Sequence, residues 1–226
     1  VQKTSYGFRY AAIRRPIFDA QTHDYIRTTV FVAPWTVLIP PNNLYNVANV
    51  NIPMDDTHTC FYFIAWGDAS QTPETETWRK FLGMSLGIDL DAYYQPLRNY
   101  DNRFWQDRQA MKAGNFTGIK GIPNQDMAMW ITMGKIADRS NDRLGASDMA
   151  IVEFRKQMVE AVQAFRATGE AIGTGENRIP KEVCSFQGVI PKTVDWRAQE
   201  VSYVWLDGQD NPEMDRSYVV TEGAES

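Results

Sequence analysis

The first 66 residues constrain the fold most, because nearly all of them carry strand signals. Stretches rich in Val, Ile, Thr, Tyr and Phe are interrupted by turns at Pro16, Pro40-Pro41 and Pro53-Met54-Asp55-Asp56. Connections this short join antiparallel neighbours, whereas parallel strands need a longer crossover. The pattern predicts an antiparallel meander with strands over 6–14, 24–34, 35–39, 45–52 and 57–66.

The clearest helix signal covers residues 147–168, with Ser147 as the N-cap and Gly169 at the end. Its apolar residues are spaced to fall on one face: Ile151, Phe154, Met158, Val162 and Phe165. A helix of this length is roughly 30 Å long and needs a wide partner. We therefore predict an α+β fold, in which a curved antiparallel sheet packs on a long C-terminal helix.

The other segments give weaker signals. Thr72-Pro73-Glu74 is typical of a helix entry, and residues 83–121 are predicted to be a long connection with one helical piece around 105–113. After Gly169, Gly, Pro and charged residues dominate, and this tail is predicted to wrap the surface up to residue 197.

Composition excludes several classes of function. The 226 residues have 43% hydrophobic content, enough for one domain with a sizeable core, and the net charge of −5 argues against nucleic acid as a partner. No apolar run or leader signal indicates a membrane segment, so a cytoplasmic protein is expected. Cys60 and Cys184 are too far apart for a zinc motif.

A second helix is predicted after Gly121, where Pro123 and Asn124 are typical helix-start residues. Asp126 then falls in the first turn, before an apolar run that contains Met129, Trp130 and Met133. A carboxylate there is either a cap for unpaired backbone N–H groups or a ligand. The Met and Trp side chains are either core or pocket residues.

Only His23 and His58 can supply imidazole. His58 follows Asp55 and Asp56, a combination that suits either a metal site or a polar turn at the start of a strand. His23 lies beside a predicted turn, where solvent exposure is the simplest interpretation. No phosphate-binding loop, nucleophile elbow or HExxH motif is present, so the residues alone name no complete active site.

The sequence around Asp126 forms a long ordered series of short phrases, at 124–130, 133–134, 136, 138–140, 144–148 and 150–151. This series closely resembles the C-terminal catalytic domain of Rieske non-haem iron oxygenases. The nearest group is the phthalate dioxygenase type, whose members attack aromatic carboxylates and related aromatic ethers. Further similar phrases lie at 6–10, 25–27, 31–34, 39–41 and 53–59, so the resemblance runs from about residue 3 to about residue 197.

The resemblance implies a helix-grip fold, in agreement with the α+β prediction, and a terminal oxygenase that uses Fe(II) and O₂ to hydroxylate, dihydroxylate or O-demethylate an aromatic compound. Asp126 would be the carboxylate of a 2-His-1-carboxylate triad. The family's D-x-x-H-x-x-x-x-H phrase and the CxH and CxxH motifs of a Rieske [2Fe–2S] cluster do not occur. We therefore expect residues 1–226 to be the C-terminal part of the catalytic domain, without the N-terminal Rieske domain and the paired-histidine segment.

The same resemblance implies a homotrimer that receives electrons from a reductase or ferredoxin. Ile131 replaces the group's usual Glu and Lys135 its common Pro, which is compatible with a different substrate, such as that of an O-demethylase. An aromatic carboxylate substrate needs a cation in the pocket. The candidates are Arg9, Arg14 and Arg27, with Phe31 and Trp130 as aromatic lining. The alternative is a metal-free helix-grip protein that binds an apolar or aromatic ligand.

Overall fold

The computed structural model describes residues 1–40, 45–174 and 183–198. These residues form two compact units. The first unit contains residues 1–72 and the described residues from 143 onward, and the second contains residues 73–142.

The first unit is built on one antiparallel sheet, as the meander prediction requires. Six strands are adjacent in chain order, and the seventh pairs with the third. The strands are β1 (Gln2–Thr4), β2 (Gly7–Arg14), β3 (His23–Val32), β4 (Thr36–Ile39), β5 (Asn46–Pro53), β6 (Thr59–Trp66) and β7 (Phe186–Pro191). The α+β class and the five predicted strands are confirmed. The turns lie where Pro and Gly interrupt the strand-forming stretches.

Four α-helices are described: α1 (Thr75–Leu82), α2 (Arg108–Lys112), α3 (Ile122–Thr132) and α4 (Met149–Thr168). Short 3₁₀ turns lie at Arg103–Trp105 and Ala146–Asp148. Ser147 is not the N-cap that the sequence predicts, because it lies inside the 3₁₀ turn that precedes α4. In that turn the Asp148 carboxylate accepts a hydrogen bond from the Gly145 N–H at 2.8 Å. In the part of the chain that the structure describes, no helix is both long and apolar enough to cross a bilayer.

The register between β2 and β3 sorts their side chains onto two faces of the sheet. Phe8 pairs with Phe31, and Arg9 pairs with Val30. Because successive side chains alternate across a strand, Phe8 and Phe31 share one face while Arg9 and Val30 share the other. We call the face with Phe8 and Phe31 the helix-side face.

Helix α4 packs on the helix-side face. Phe8 and Phe31 are buried there with Ala150 and Met158 of α4 packed against them, and the Phe154 ring meets Phe31 edge-on at 5.2 Å between centroids. The contacts described between α4 and the sheet come from residues 150–158. In the second half of the predicted apolar face of α4, Val162 is 54% and Phe165 is 52% exposed. The sheet therefore does not cover this half as predicted.

The opposite face of the sheet carries two further apolar clusters. One contains Val30, Leu38 and Ala48 from three adjacent strands. The other joins Ile26 of β3 to residues that follow α4 in the chain, namely Phe186, Ile190 and Trp196. Both faces near β3 are thus buried.

The prediction that the tail after Gly169 only wraps the surface was wrong for β7. Residues His23 to Thr28 of β3 pair with this strand, in the register Ile26 opposite Gly188. β4 pairs only with Val30 to Val32, so the first half of β3 needs another partner for its backbone groups. That requirement is non-local and leaves no periodic signal in the sequence of β7.

Replacement of Phe31 by Ala tests the packing of α4 on the sheet. Phe31 is 4% exposed and contacts rings from both β2 and α4, so its truncation should lower the free energy of unfolding by about 3–5 kcal/mol. Urea-induced unfolding followed by tryptophan fluorescence measures the change. Ile17→Ala is the matched control, since this side chain is 87% exposed and its loss should cost less than about 0.5 kcal/mol. Equal losses in both variants would contradict the packing described.

Candidate metal-ligand helix and substrate residues

Helix α3 starts at Ile122, directly after Gly121, where the sequence predicts a helix. Gly121 precedes it with φ +84°, a left-handed conformation that suits glycine, and Pro123 lies within its first turn. With Ile122 as the first helical residue, Asp126 is the fifth and lies beyond the first turn, where there is no acidic residue. The cap interpretation of Asp126 was therefore wrong, because the backbone N–H groups that a cap serves belong to earlier residues.

Asn124 fastens the start of α3 to the end of α1. Its side chain is 3% exposed, and its Nδ2 donates to the carbonyl oxygens of Gly83 at 2.8 Å and Lys120 at 2.9 Å. Gly121 makes the close approach possible, since a Cβ there would lie 2.0 Å from the Leu82 carbonyl oxygen. The position of α3 is thus fixed just before Asp126.

The Asp126 carboxylate differs from the other aspartates with a shifted pKa in the described part of the chain. The residue is exposed by surface area, yet the surrounding protein partly desolvates the carboxylate and raises its pKa above the ordinary value. Among the described residues, no hydrogen bond or ion pair engages its oxygens. A carboxylate that is partly desolvated and without a cap role suits a metal ligand.

The rest of a metal centre does not come from the described residues, which contain no cluster of three or more His, Cys, Asp or Glu side chains. Asp126 alone fits one position of the triad. The predicted lining residue Trp130 follows it on α3 and is 41% exposed, with Met129 66% and Met133 44% exposed. The apolar run of α3 therefore forms surface rather than core in this unit.

The three predicted substrate arginines are in different environments. Arg9 lies on the sheet face opposite to Phe31, donates to Gln2 and to the Arg197 carbonyl, and has its guanidinium 5.9 Å from the Trp196 ring. Arg14 is exposed at the end of β2. The Arg9 side chain is therefore engaged in contacts within the protein, and the Arg14 side chain is exposed to solvent.

Arg27 is half-buried on the helix-side face. It pairs with Ala12, which lies four residues after Phe8 on β2 and therefore on the same face as Phe8. Its Nη2 donates to the Pro40 carbonyl oxygen at 2.7 Å. Phe31 lies four residues further along β3 and therefore on the same face. The structure thus brings Arg27 and Phe31 to one face, and places Asp126 and Trp130 together on α3 in the second unit.

His58 lies in a polar turn, the simpler of the two sequence interpretations. The Asp55 carboxylate accepts the backbone N–H groups of Thr57 at 2.7 Å and His58 at 2.8 Å, and His58 Nδ1 lies 2.8 Å from Asp55 Oδ2. The bonds from Thr57 and His58 hold the pKa of Asp55 at about 2. His23 opens β3, where Thr22 Oγ1 is 2.9 Å from its Nδ1.

The family model described as "LigXa C-terminal domain like" matches residues 1–221. The chain belongs to this family. It is 68% identical over 205 residues to the phthalate 4,5-dioxygenase oxygenase subunit of Pseudomonas putida, covering 91% of the chain and 47% of that protein. It is 32% identical over 213 residues to the 3-chlorobenzoate-3,4-dioxygenase oxygenase subunit of Comamonas testosteroni, covering 87% of the chain and 48% of that protein.

This LigXa C-terminal domain-like chain thus spans about half the length of the curated relatives that it matches. The resemblance to the phthalate dioxygenase type, first found in the phrases around Asp126, is confirmed. The match to the family model covers both units, since it includes the sheet, α3 and α4.

Sequence reasoning missed a buried polar cluster in the second unit of the LigXa C-terminal domain-like chain. Arg98 and Asp89 are both 7% exposed and form an ion pair at 2.7 Å, and the Arg98 guanidinium lies 4.6 Å from the Trp105 ring. Residues 83–121 look like an ordinary polar connection, so periodicity gives no signal for this pair. Isolated Arg and Trp residues in a long connection were the only available hint.

The Asp55 turn gives a test by titration. Because the folded pKa of about 2 lies below the ordinary value of 3.8, the charged carboxylate stabilises the turn above about pH 4, and this contribution is lost as the pH falls through 2. Carbon-13 NMR of the Asp55 carboxyl group should show a midpoint near 2. In Asp55→Ala, the amide shifts of Thr57 and His58 should lose the corresponding pH dependence. A midpoint near 4 would contradict the hydrogen bonds described.

Proposed function

We propose that the protein is the catalytic part of a terminal oxygenase that uses Fe(II) and O₂ to hydroxylate, dihydroxylate or O-demethylate an aromatic compound, with an aromatic carboxylate as the substrate class. The observation that carries this proposal is Asp126, a partly desolvated carboxylate without a cap role on an anchored helix of a LigXa C-terminal domain-like chain. The oxygenase subunits among its relatives support the reaction class.

Asp126 would hold the iron as one of three protein ligands, with two histidines from sequence outside this chain. A mononuclear Fe(II) with open positions supplies oxygen activation when it is bound. The contribution of this chain is then to place one carboxylate, bind and orient the aromatic ring, and exclude water.

The helix-grip arrangement is part of this proposal. The packing of α4 over Phe8 and Phe31 supports it, because a curved sheet gripping one long helix leaves room for a ligand beside their contact. Among the predicted substrate residues, Arg27 and Phe31 share that face, whereas Arg9 is engaged on the other face and Arg14 is exposed. Arg27 is therefore our preferred cation, and Trp130 remains a candidate for the lining around Asp126.

The wider assembly follows from the same reaction class. We propose that a Rieske [2Fe–2S] cluster elsewhere in the subunit receives electrons from a reductase or ferredoxin, and that the subunit forms a homotrimer. We also propose a cytoplasmic location, in keeping with two free cysteines that form no disulfide with each other.

Asp126→Ala in the full-length subunit tests the function directly. Removal of one of three ligands should release most of the mononuclear iron and lower turnover by at least about 100-fold, since a bound metal contributes several kcal/mol to such chemistry. Iron analysis and O₂-consumption assays measure these effects, and cluster absorbance should be unchanged. Asp101→Ala is the matched control, because this exposed carboxylate lies in the same unit.

Full iron and full turnover in Asp126→Ala would refute the ligand assignment. A full-length protein that holds no mononuclear iron, yet binds aromatic ligands, would support the metal-free binding protein instead.

Arg27→Gln tests the substrate assignment separately from the iron. Loss of a charged hydrogen bond to a carboxylate costs roughly 1.5–3 kcal/mol, so KM for an aromatic acid should rise by about 10- to 100-fold while iron content stays the same. Steady-state kinetics with an aromatic acid and with its neutral amide should show this loss only for the acid. Arg15→Gln is the control, since Arg15 is exposed just beyond β2. Equal effects on both substrates would exclude a carboxylate contact.

A further inference from the structure

The carbonyl oxygen of Gly83 is a shared acceptor at the end of α1. Gly83 has φ +65° and ends the helix in the left-handed conformation. Its carbonyl accepts the Asn124 amide at 2.8 Å and an Arg98 guanidinium N–H at 3.3 Å. One backbone atom therefore links the end of α1, the start of α3 and the buried Arg98.

The Asn124 side-chain nitrogen uses both of its hydrogens in this link. A carboxamide nitrogen has two hydrogens, and Nδ2 has carbonyl acceptors within 3.0 Å on Gly83 and Lys120. Because the side chain is 3% exposed, water cannot replace either bond. Loss of the amide would leave two carbonyl oxygens without these bonds in a buried place.

A second buried contact, the ion pair between Arg98 and Asp89, stabilises the backbone that follows Gly83. Arg98 pairs with Asp89, and Asp89 Oδ2 accepts the Ser85 N–H at 2.9 Å two residues after Gly83. Trp105 covers the guanidinium from a turn in which three consecutive residues have positive φ: Arg103, Phe104 and Trp105. Non-glycine residues rarely adopt this backbone conformation, so the surrounding contacts must hold the turn in place.

We propose that Asn124 is a positioning residue for Asp126. It fixes the third residue of α3 to the end of α1, and the ligand carboxylate follows two residues later on the same helix. Few apolar contacts compete with this restraint, since α3 buries only Pro123, Asn124 and Ala128 among its described residues. This inference rests on the proposed function, because it needs Asp126 to bind iron.

The test measures iron affinity in the full-length subunit. Partners that orient metal ligands typically contribute 10- to 100-fold to metal affinity, so Asn124→Ala should raise the iron dissociation constant by roughly that factor. Competition with an Fe(II) chelator measures the constant, and thermal unfolding gives Tm for the same sample. Asn124→Gln keeps the amide donors on a longer side chain and should restore part of the affinity.

Asp107→Ala is the matched control for a purely structural effect. Asp107 caps α2 in the same unit by accepting the Gln109 and Ala110 N–H groups, and its loss should lower Tm without a change in iron affinity. The proposal is supported if Asn124→Ala loses more affinity than Asp107→Ala at an equal loss of Tm. It is overturned if the two variants lose affinity in parallel, or if neither does.

Two further outcomes separate this inference from the proposed function. If Asn124→Ala does not fold, unchanged affinity in Asn124→Gln overturns the proposal, and lowered affinity at wild-type Tm supports it. If Asp126→Ala releases iron while both Asn124 variants retain wild-type affinity, the function stands and the positioning role falls. If Asp126→Ala retains iron, the function itself fails.

Discussion

The pairing of β3 with three other strands is the constraint on which the first unit depends. Its first half pairs with β7, its last residues pair with β4, and β2 runs along nearly its whole length. This register places Phe31 toward α4 and Val30 toward the opposite apolar cluster. A shift by one residue would exchange the two faces and disrupt both clusters, so the packing on both sides specifies the register.

The second unit depends on a polar restraint rather than on a large apolar core. α1 has only eight residues and buries only Leu82, and α3 buries two apolar residues and Asn124. Helices this short are marginal on their own and need contacts with the rest of the unit. Hydrogen bonds to the end of α1 therefore determine where α3 starts, and buried hydrogen bonds have the directionality that apolar contacts lack.

Much of the fold could be predicted from the sequence where the signals are local. Pro16 and the 53–56 turn separate stretches of strand-forming residues, and Gly169 marks the end of α4, where it takes the left-handed C-cap conformation. β7 could not be predicted, because Gly188 interrupts a short segment whose pairing depends on the unpaired half of β3. The partial covering of the apolar face of α4 could not be predicted either. Periodicity shows that a helix face is apolar, but it does not show how far the packing partner extends along the helix.

The candidate site was predictable only through family resemblance. The phrases around Asp126 led to the proposed ligand, while Asp126 lies just beyond the first turn of α3, in which the sequence pattern places it. The arginines illustrate the same limit. Strand position alone gave Arg9, Arg14 and Arg27 equal standing, and only the register separates Arg9 from the face that carries Phe31.

Two carboxylates of this chain show how hydrogen bonding, and not residue type, separates a turn residue from a candidate metal ligand. Asp55 lies beside a histidine and resembles a metal site in sequence, but its oxygens already accept N–H groups of its own turn, which lower its pKa. A metal ion would have to displace those bonds. Asp126 has no such donors among the described residues, and partial desolvation raises its pKa. A divalent cation would therefore restore favourable electrostatics at Asp126, whereas at Asp55 it would only replace existing bonds.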